Sequence, residues 1–309
     1  MTEPMKVAYV FPGQGAQWVG MGRDLYQNFD SAKAIFDQAD ATLGFPLSKL
    51  CFEGPEDELL QTINAQPAMV TASFACFEAS RSASAGLPSA SFVAGHSLGE
   101  YTALAAAGVL DFATTVYLAR ERGRLMHEAG QIVPGGMAAI IGLDESALAG
   151  VCEEAGTRIA NINCPGQVVI SGTRENLARA MDLAKARGAA RVRPLRVSGA
   201  FHTPLMQPAV DGMAKIIATL SFGEPSVPII GNTTAQPLTT AESIKEELLR
   251  QLCNCVQWQR SVEYMVSNGV STFIELGPGK VLAGLIKRID QNVKIMNIGD
   301  ADAIRGLGS

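Results

Sequence analysis

At 309 residues the chain is long enough for one large domain, or for a large one carrying a smaller insert. Hydrophobic residues make up 47% and charged residues 18%, a globular composition, and a net charge of −5 without a basic run argues against a nucleic-acid partner. No stretch reaches ~18 uninterrupted apolar residues, which argues against a membrane span.

In chain order, Met1–Lys6 carries no signal-peptide pattern and leads into Lys6–Phe11, a buried strand. A turn at Pro12-Gly13-Gln14-Gly15-Ala16-Gln17 ends it. A dinucleotide fingerprint would need a third glycine at position 18, where Trp18 stands, so that reading is disfavoured. The turn is either a plain strand-to-helix connection or a place where a backbone N–H meets a ligand. Asp30–Leu43 reads as a helix with Ala34, Ile35, Ala39 and Leu43 near one face. Pro55-Glu56-Asp57-Glu58 is a helix-start signal, and a long apolar helix is expected from Gln66 to about Ser84. Phe92-Val93-Ala94 reads as a short strand, Gly95-His96-Ser97-Leu98-Gly99 as a turn, and Glu100–Ala107 as a helix. Another helix is expected over Ala113–Ala129. It carries Arg120, Arg122 and Arg124, which do not share a face, because alternate helical residues diverge by about 200°. An arginine turned inward needs a carboxylate or an anionic ligand; a solvated surface charge is the alternative for each.

From Gly136 to Val197 the pattern changes. Strands are expected at 137–142, 158–162, 167–172 and 191–197, and helices at 145–152 and 174–187. Asn163-Cys164-Pro165-Gly166 reads as the turn between the middle strands, and Pro194 limits the last strand to an edge or a bulge. The order β-α-β-β-α-β is that of a ferredoxin-like unit, and predicts an inserted subdomain over 132–198. Beyond Gly199-Ala200-Phe201-His202-Thr203-Pro204 the chain returns to alternation: a strand at 227–230, helices at 242–252 and 261–268, and a strand at 272–276. Gly277-Pro278-Gly279-Lys280 reads as a turn before the last helix. The six cysteines are scattered, so no disulfide framework is expected and a reducing cytoplasm is the expected setting. Cys253 and Cys255 form the one close pair; without a second Cys/His pair at zinc-ligand spacing, no metal site is expected.

Strand, tight turn and helix around Ser97 are the context of a G-x-S-x-G nucleophile elbow, the alternative being an ordinary turn. The glycines keep Cβ atoms out of the turn, so Ser97 projects from its tip. The helix behind it offers free N–H groups and a positive dipole end, which suit an oxyanion beside the serine. A serine hydroxyl needs a base within reach. Three histidines compete for that place. His96 adjoins Ser97 and, by alternation along an extended backbone, faces the other way. His127 lies late in a helix beside Glu128. His202 lies in a loop, where catalytic residues concentrate, and is the first candidate.

The stretches Phe11–Gln17, Gly95–Glu100, Arg122-Gly123-Arg124-Leu125-Met126, Asn163-Cys164-Pro165-Gly166-Gln167, Gly199-Ala200-Phe201-His202, Gln251-Leu252, Val256-Gln257-Trp258 and Glu275–Gly279 stand in an order that resembles the malonyl-CoA:acyl carrier protein transacylases. The resemblance implies a large α/β-hydrolase-like domain with a parallel sheet core, residues 1–131 and 199–309, and a small inserted ferredoxin-like subdomain, residues 132–198. It implies Ser97 as the acylated nucleophile, His202 as its base, and Gln251 as the residue whose carbonyl orients that histidine. The backbone N–H groups of Gln14 and Leu98 would form the oxyanion hole, and Arg122 would pair with the malonyl carboxylate. Gln66 and Asn163 match positions near the site, and Phe201 matches a malonyl-type signature. The implied partners are malonyl-CoA, a coenzyme A thioester used as substrate, and acyl carrier protein, with no bound cofactor and no metal. Cys255 is a departure: many members carry proline there, and the expected consequence is a change in loop stiffness. The same chemistry would serve an acyltransferase of a polyketide synthase. A serine esterase or thioesterase, with water as acceptor, and a non-catalytic carrier-binding module are the other readings.

Overall fold

A computed structural model of the chain describes residues 6–83 and 86–308. Ten strands occur among them: β1 Lys6–Phe11, β2 Phe92–Gly95, β3 Gly135–Ile141, β4 Arg158–Cys164, β5 Gln167–Thr173, β6 Arg191–Pro194, β7 Ile229–Ile230, β8 Pro237–Leu238, β9 Val270–Leu276 and β10 Lys294–Ile298. Six of them form a sheet in the order β10-β9-β1-β2-β7-β8, parallel except for β8. The strand β1 is apolar on both faces because both are covered. Val7, Tyr9 and Phe11 enter one core, and Ala8 and Val10 the other. The mixed α/β architecture follows from that double burial.

The other four strands form an antiparallel sheet in the order β4-β5-β3-β6. Its residues sort by alternation. Ala138, Ile140, Val168 and Ile170 pack in a core with Leu148 and Val151 of the Glu145–Ala155 helix and Leu177 and Ala180 of the Arg174–Ala186 helix. Met137, Ala139, Ile141 and Val169 face the other way and line a cavity of about 630 Å³ between the two sheets. Val256 stitches the sheets together: its N–H donates to the Ala160 carbonyl at 2.9 Å, and its carbonyl accepts from Ile162 N–H at 2.9 Å.

Several boundaries differ from the sequence reading, each for a local reason. The strand β4 runs to Cys164, so Asn163 sits in a strand and the turn is reduced to Pro165-Gly166. The strand β6 stops at Pro194, at the sheet edge, where a missing N–H is tolerated. The long apolar helix is Thr62–Ser82 and begins four residues before Gln66, with Pro67 inside it. Proline leaves the Ile63 carbonyl without its helical donor, and Arg120 Nη1 supplies one at 2.8 Å. The expected end at Ser84, and Met1–Met5, lie outside the described residues. The helix Val281–Ile289 is not the last; β10 and a short helix, Ala301–Arg305, follow. Helices also form at Leu47–Glu53 and Gln207–Ile217, and each opens on a proline, Pro46 at the N-cap and Pro208 in the first turn.

Candidate active site

In a parallel sheet the loops at the carboxyl ends of adjacent strands meet in one crevice. Here these are the Pro12–Gln17 loop after β1 and the Ser97 turn after β2, and both line the cavity. The turn is too tight for side chains at its glycines. A Cβ at Gly95 would stand 1.9 Å from the Gly99 carbonyl carbon, and one at Gly99 would stand 2.1 Å from the Phe11 oxygen. Ser97 itself has φ 51°, the left-handed conformation that a strained elbow imposes. That kink also corrects the expectation for His96. Alternation does not pass through a left-handed residue, and His96 lines the same cavity as Ser97, with its Nε2 2.8 Å from Asn163 Oδ1.

His202 meets the serine from the Gly199–Met206 segment, also at a positive φ, 60°. Its Nε2 lies 2.9 Å from Ser97 Oγ, and its Nδ1 lies 2.7 Å from the Gln251 carbonyl. That carbonyl belongs to the last turn of the Ala241–Cys253 helix, where C=O groups lack helical donors and the dipole is negative. A carbonyl only accepts, so Nδ1 carries the proton and Nε2 is free to accept one from the hydroxyl. Burial first, and then the Arg122 charge, push the imidazole down to about 3. Neutral His202 therefore persists to acidic pH. The acid limb of kcat/KM should lie well below the ordinary histidine value of about 6.5, and removing the Arg122 charge should move it upward. A pH–rate profile with an acetyl thioester, in wild type and Arg122→Ala, measures both.

Of the three arginines, one turns inward. Arg122 is 1% exposed. Its Nη1 donates to Gln66 Oε1 at 2.9 Å; its Nη2 donates to Gln251 Oε1 at 2.7 Å and to Ser97 Oγ at 3.1 Å. All three acceptors are neutral oxygens, and the Tyr101 ring lies 5.3 Å from the guanidinium carbon. Nε has no partner among the described residues. A buried cation with no direct counter-ion among the described residues is an incomplete arrangement that an anion beside Ser97 would complete. Arg120 instead stacks on Phe45 and binds Ile63 O and Asn64, while Arg124 pairs with Glu121 and Glu128 at the surface.

The remaining expected residues fall as follows. Gln14 lines the cavity, and Leu98 is buried at the helix start beyond Ser97. Among the described residues neither backbone N–H has an acceptor. Phe201, 5% exposed, and Asn163 line the cavity, and Gln66 is buried behind Arg122. His127 is half-buried beside Gln131, away from the cavity lining.

Three polar residues beneath the elbow were not singled out in the sequence. Asn232 Oδ1 accepts the Ser97 N–H at 2.6 Å, and Glu100 accepts from both Asn232 and Gln251. Glu247 holds Thr233 next door. Glu100 stands in the elbow motif, where an acid in a first helical turn reads as a surface feature that complements the dipole. Its only distinguishing signal is the apolar company of Tyr101 and Leu104. Asn232 has none beyond following the apolar pair Ile229-Ile230.

An acyl transferase domain model matches residues 8–300. The chain belongs to the malonyl-CoA:acyl carrier protein transacylase family. Among its relatives, the malonyl CoA-acyl carrier protein transacylase of Bacillus subtilis is 45% identical over 97% of this chain and 95% of that one. The crystal structure of an acyl carrier protein S-malonyltransferase from Vibrio cholerae superposes with a TM-score of 0.93 at 42% identity, covering 98% of this chain and 99% of that one. A malonyl-transacylase in complex with a type II PKS acyl-carrier protein has a TM-score of 0.93 at 40% identity, with 98% of each chain covered. For a transacylase of this family, the mixed α/β fold and the full-length match are expected together.

Proposed function

We propose that this chain transfers malonyl from malonyl-CoA to the phosphopantetheine thiol of acyl carrier protein, through a malonyl ester on Ser97. The observation that carries the reading is Arg122, buried without a direct counter-ion and 3.1 Å from a serine that is also 2.9 Å from His202. Ser97 Oγ attacks the thioester carbonyl as its proton passes to His202 Nε2. The Gln14 and Leu98 N–H groups receive the negative oxygen. The C–S bond then breaks, and the coenzyme A thiolate takes the proton from His202. In the second half the carrier thiol gives its proton to His202, its sulfur attacks the acyl-serine, and the proton returns to Ser97 Oγ. Both halves pass through an oxyanion, so one preorganised hole serves both. Carbonyl transfer of this kind requires no metal or redox group.

The coenzyme A thioester is substrate in this reading, and the protein works in the cytoplasm. The finer fold description belongs here too. The order β4-β5-β3-β6 with two helices on one face supports a ferredoxin-like subdomain over 132–198, inserted in an α/β-hydrolase-like domain of residues 1–131 and 199–309. Fatty acid synthesis is the pathway that the relatives' activity supports. The polyketide alternative uses the same chemistry, and a panel of carrier proteins separates the two. The esterase reading has no use for Arg122.

The test is covalent. Brief incubation with malonyl-CoA should add one malonyl mass to the intact protein, and peptide mapping should find it on Ser97. A label that survives in Ser97→Ala refutes the assignment.

A further inference from the structure

We propose that Glu100 is a positioning residue: its buried carboxylate sets the side-chain amides of Gln251 and Asn232, and through them fixes where Arg122 and Ser97 stand. This rests on the transacylase reading of the site.

Glu100 is fully buried in the first turn of the Gly99–Ala106 helix, three residues after the serine. Its Oε1 accepts the Asn232 backbone N–H and Asn232 Nδ2, each at 2.9 Å. Its Oε2 accepts Gln251 Nε2 at 2.5 Å. Asn232, so oriented, presents Oδ1 to the Ser97 N–H and Nδ2 to the Gly95 carbonyl, which fixes both sides of the elbow. Gln251, so oriented, gives Nε2 also to the Ser97 carbonyl at 2.9 Å and presents Oε1 to Arg122 Nη2. An amide standing between a carboxylate and a guanidinium has one sensible direction, nitrogen toward the acid and oxygen toward the base. Glu100 is thus the acid that answers Arg122 across Gln251, without occupying the face of the guanidinium that a substrate carboxylate needs. Burial first, and then the nearby Glu247 charge, hold the Glu100 carboxyl well above the usual carboxylate range, against the pull of the Asn232 and Gln251 donors and Arg122. The ionised form is the one that three N–H donors on its two oxygens, with no carbonyl acceptor among the described residues, accommodate.

Three N–H donors converging on two oxygens suit a carboxylate and exclude an amide. In Glu100→Gln the new NH2 must face one set of donors. If it faces Gln251, that side chain turns and presents nitrogen to Arg122. If it faces Asn232, the support under the Ser97 N–H is displaced. The two results read differently in kinetics, which a loss of packing would not do. Glu100→Asp keeps both acceptors and the charge on a shorter stem.

The test measures single-turnover acylation by intact mass with malonyl-CoA and acetyl-CoA, and thermal unfolding, for wild type and both variants. Carboxylates that orient metal-ligating histidines are worth about 10- to 100-fold, and the same scale is expected for one that orients the amides of this site. In cooperatively folding Glu100→Gln we expect one of two patterns. Either KM for malonyl-CoA rises about tenfold while that for acetyl-CoA holds, or acylation slows about 10- to 100-fold with both thioesters. Glu100→Asp should recover part of the loss. Wild-type constants in folded Glu100→Gln overturn the proposal. Loss of cooperative folding in both variants also overturns it, by making Glu100 a scaffold residue alone; if one variant folds, that one decides. A wild-type protein that takes no acyl mass on Ser97 refutes the transacylase reading instead.

Discussion

His202→Ala slows acylation and transfer together, each by about 10²- to 10⁴-fold, the range over which a positioned acid–base group acts. The expectation follows from how the imidazole is held. Nε2 is 2.9 Å from the Ser97 hydroxyl, and the Gln251 carbonyl commits the proton to Nδ1. In the proposed mechanism the same nitrogen passes the serine proton to coenzyme A in one half-reaction and the carrier thiol's proton to the serine in the other, so a single replacement damages both. Rapid-quench measurement of malonyl-serine formation, and of its discharge to carrier protein, gives the two rates separately. Near-wild-type rates would remove His202 from the chemistry and leave His96 as the next base. His96, however, already spends its Nε2 on Asn163. The fold should survive the change, because among the described residues the His202 imidazole bonds Ser97 and the end of one helix.

The sequence makes the elbow legible because three signals coincide there. Strand, turn and helix are each local, and the two glycines are required by contacts of about 2 Å. The small sheet is legible for a similar reason. Its alternation and its Pro194 edge are both short-range features. What stays hidden is set by distant parts of the chain. Arg122, Arg120 and Arg124 differ by helical phase, and sequence alone says only that they diverge. Which one turns inward depends on Gln66, Tyr101 and Gln251 being brought around it. The resemblance to known transacylases singled out Arg122; the helix geometry did not. The Thr62–Ser82 helix starts before the point that Pro67 marks, because proline normally opens a helix, whereas here an arginine from another helix replaces the lost donor. Glu100 and Asn232 were invisible as site residues because their partners lie 132 to 151 positions away.

Arg122→Ala should lower kcat/KM for malonyl-CoA by roughly 10²- to 10⁴-fold more than for acetyl-CoA. The two thioesters differ by a terminal carboxylate. Leaving that charge buried and unpaired costs about 3–5 kcal/mol, and each 1.36 kcal/mol is tenfold in rate. A guanidinium fork can meet both carboxylate oxygens, which the point charge of lysine does not reproduce, so Arg122→Lys should recover only part of the loss. Acetyl transfer also falls in Arg122→Ala, since Ser97 Oγ and Gln251 Oε1 each lose a donor, and for this reason the ratio is the measure. Phe201, buried at the cavity wall beside His202, should crowd an α-methyl group and make methylmalonyl-CoA a poor substrate. Two controls separate charge from position. Arg124→Ala breaks surface pairs with Glu121 and Glu128, of small worth, and should leave both ratio and stability nearly unchanged. Arg120→Ala should also leave the ratio unchanged, but it strips the Ile63 carbonyl of its donor and should cost about 1–3 kcal/mol of stability. A malonyl/acetyl ratio that stays at the wild-type value in Arg122→Ala would mean that the buried guanidinium serves the Ser97 elbow and not the substrate carboxylate.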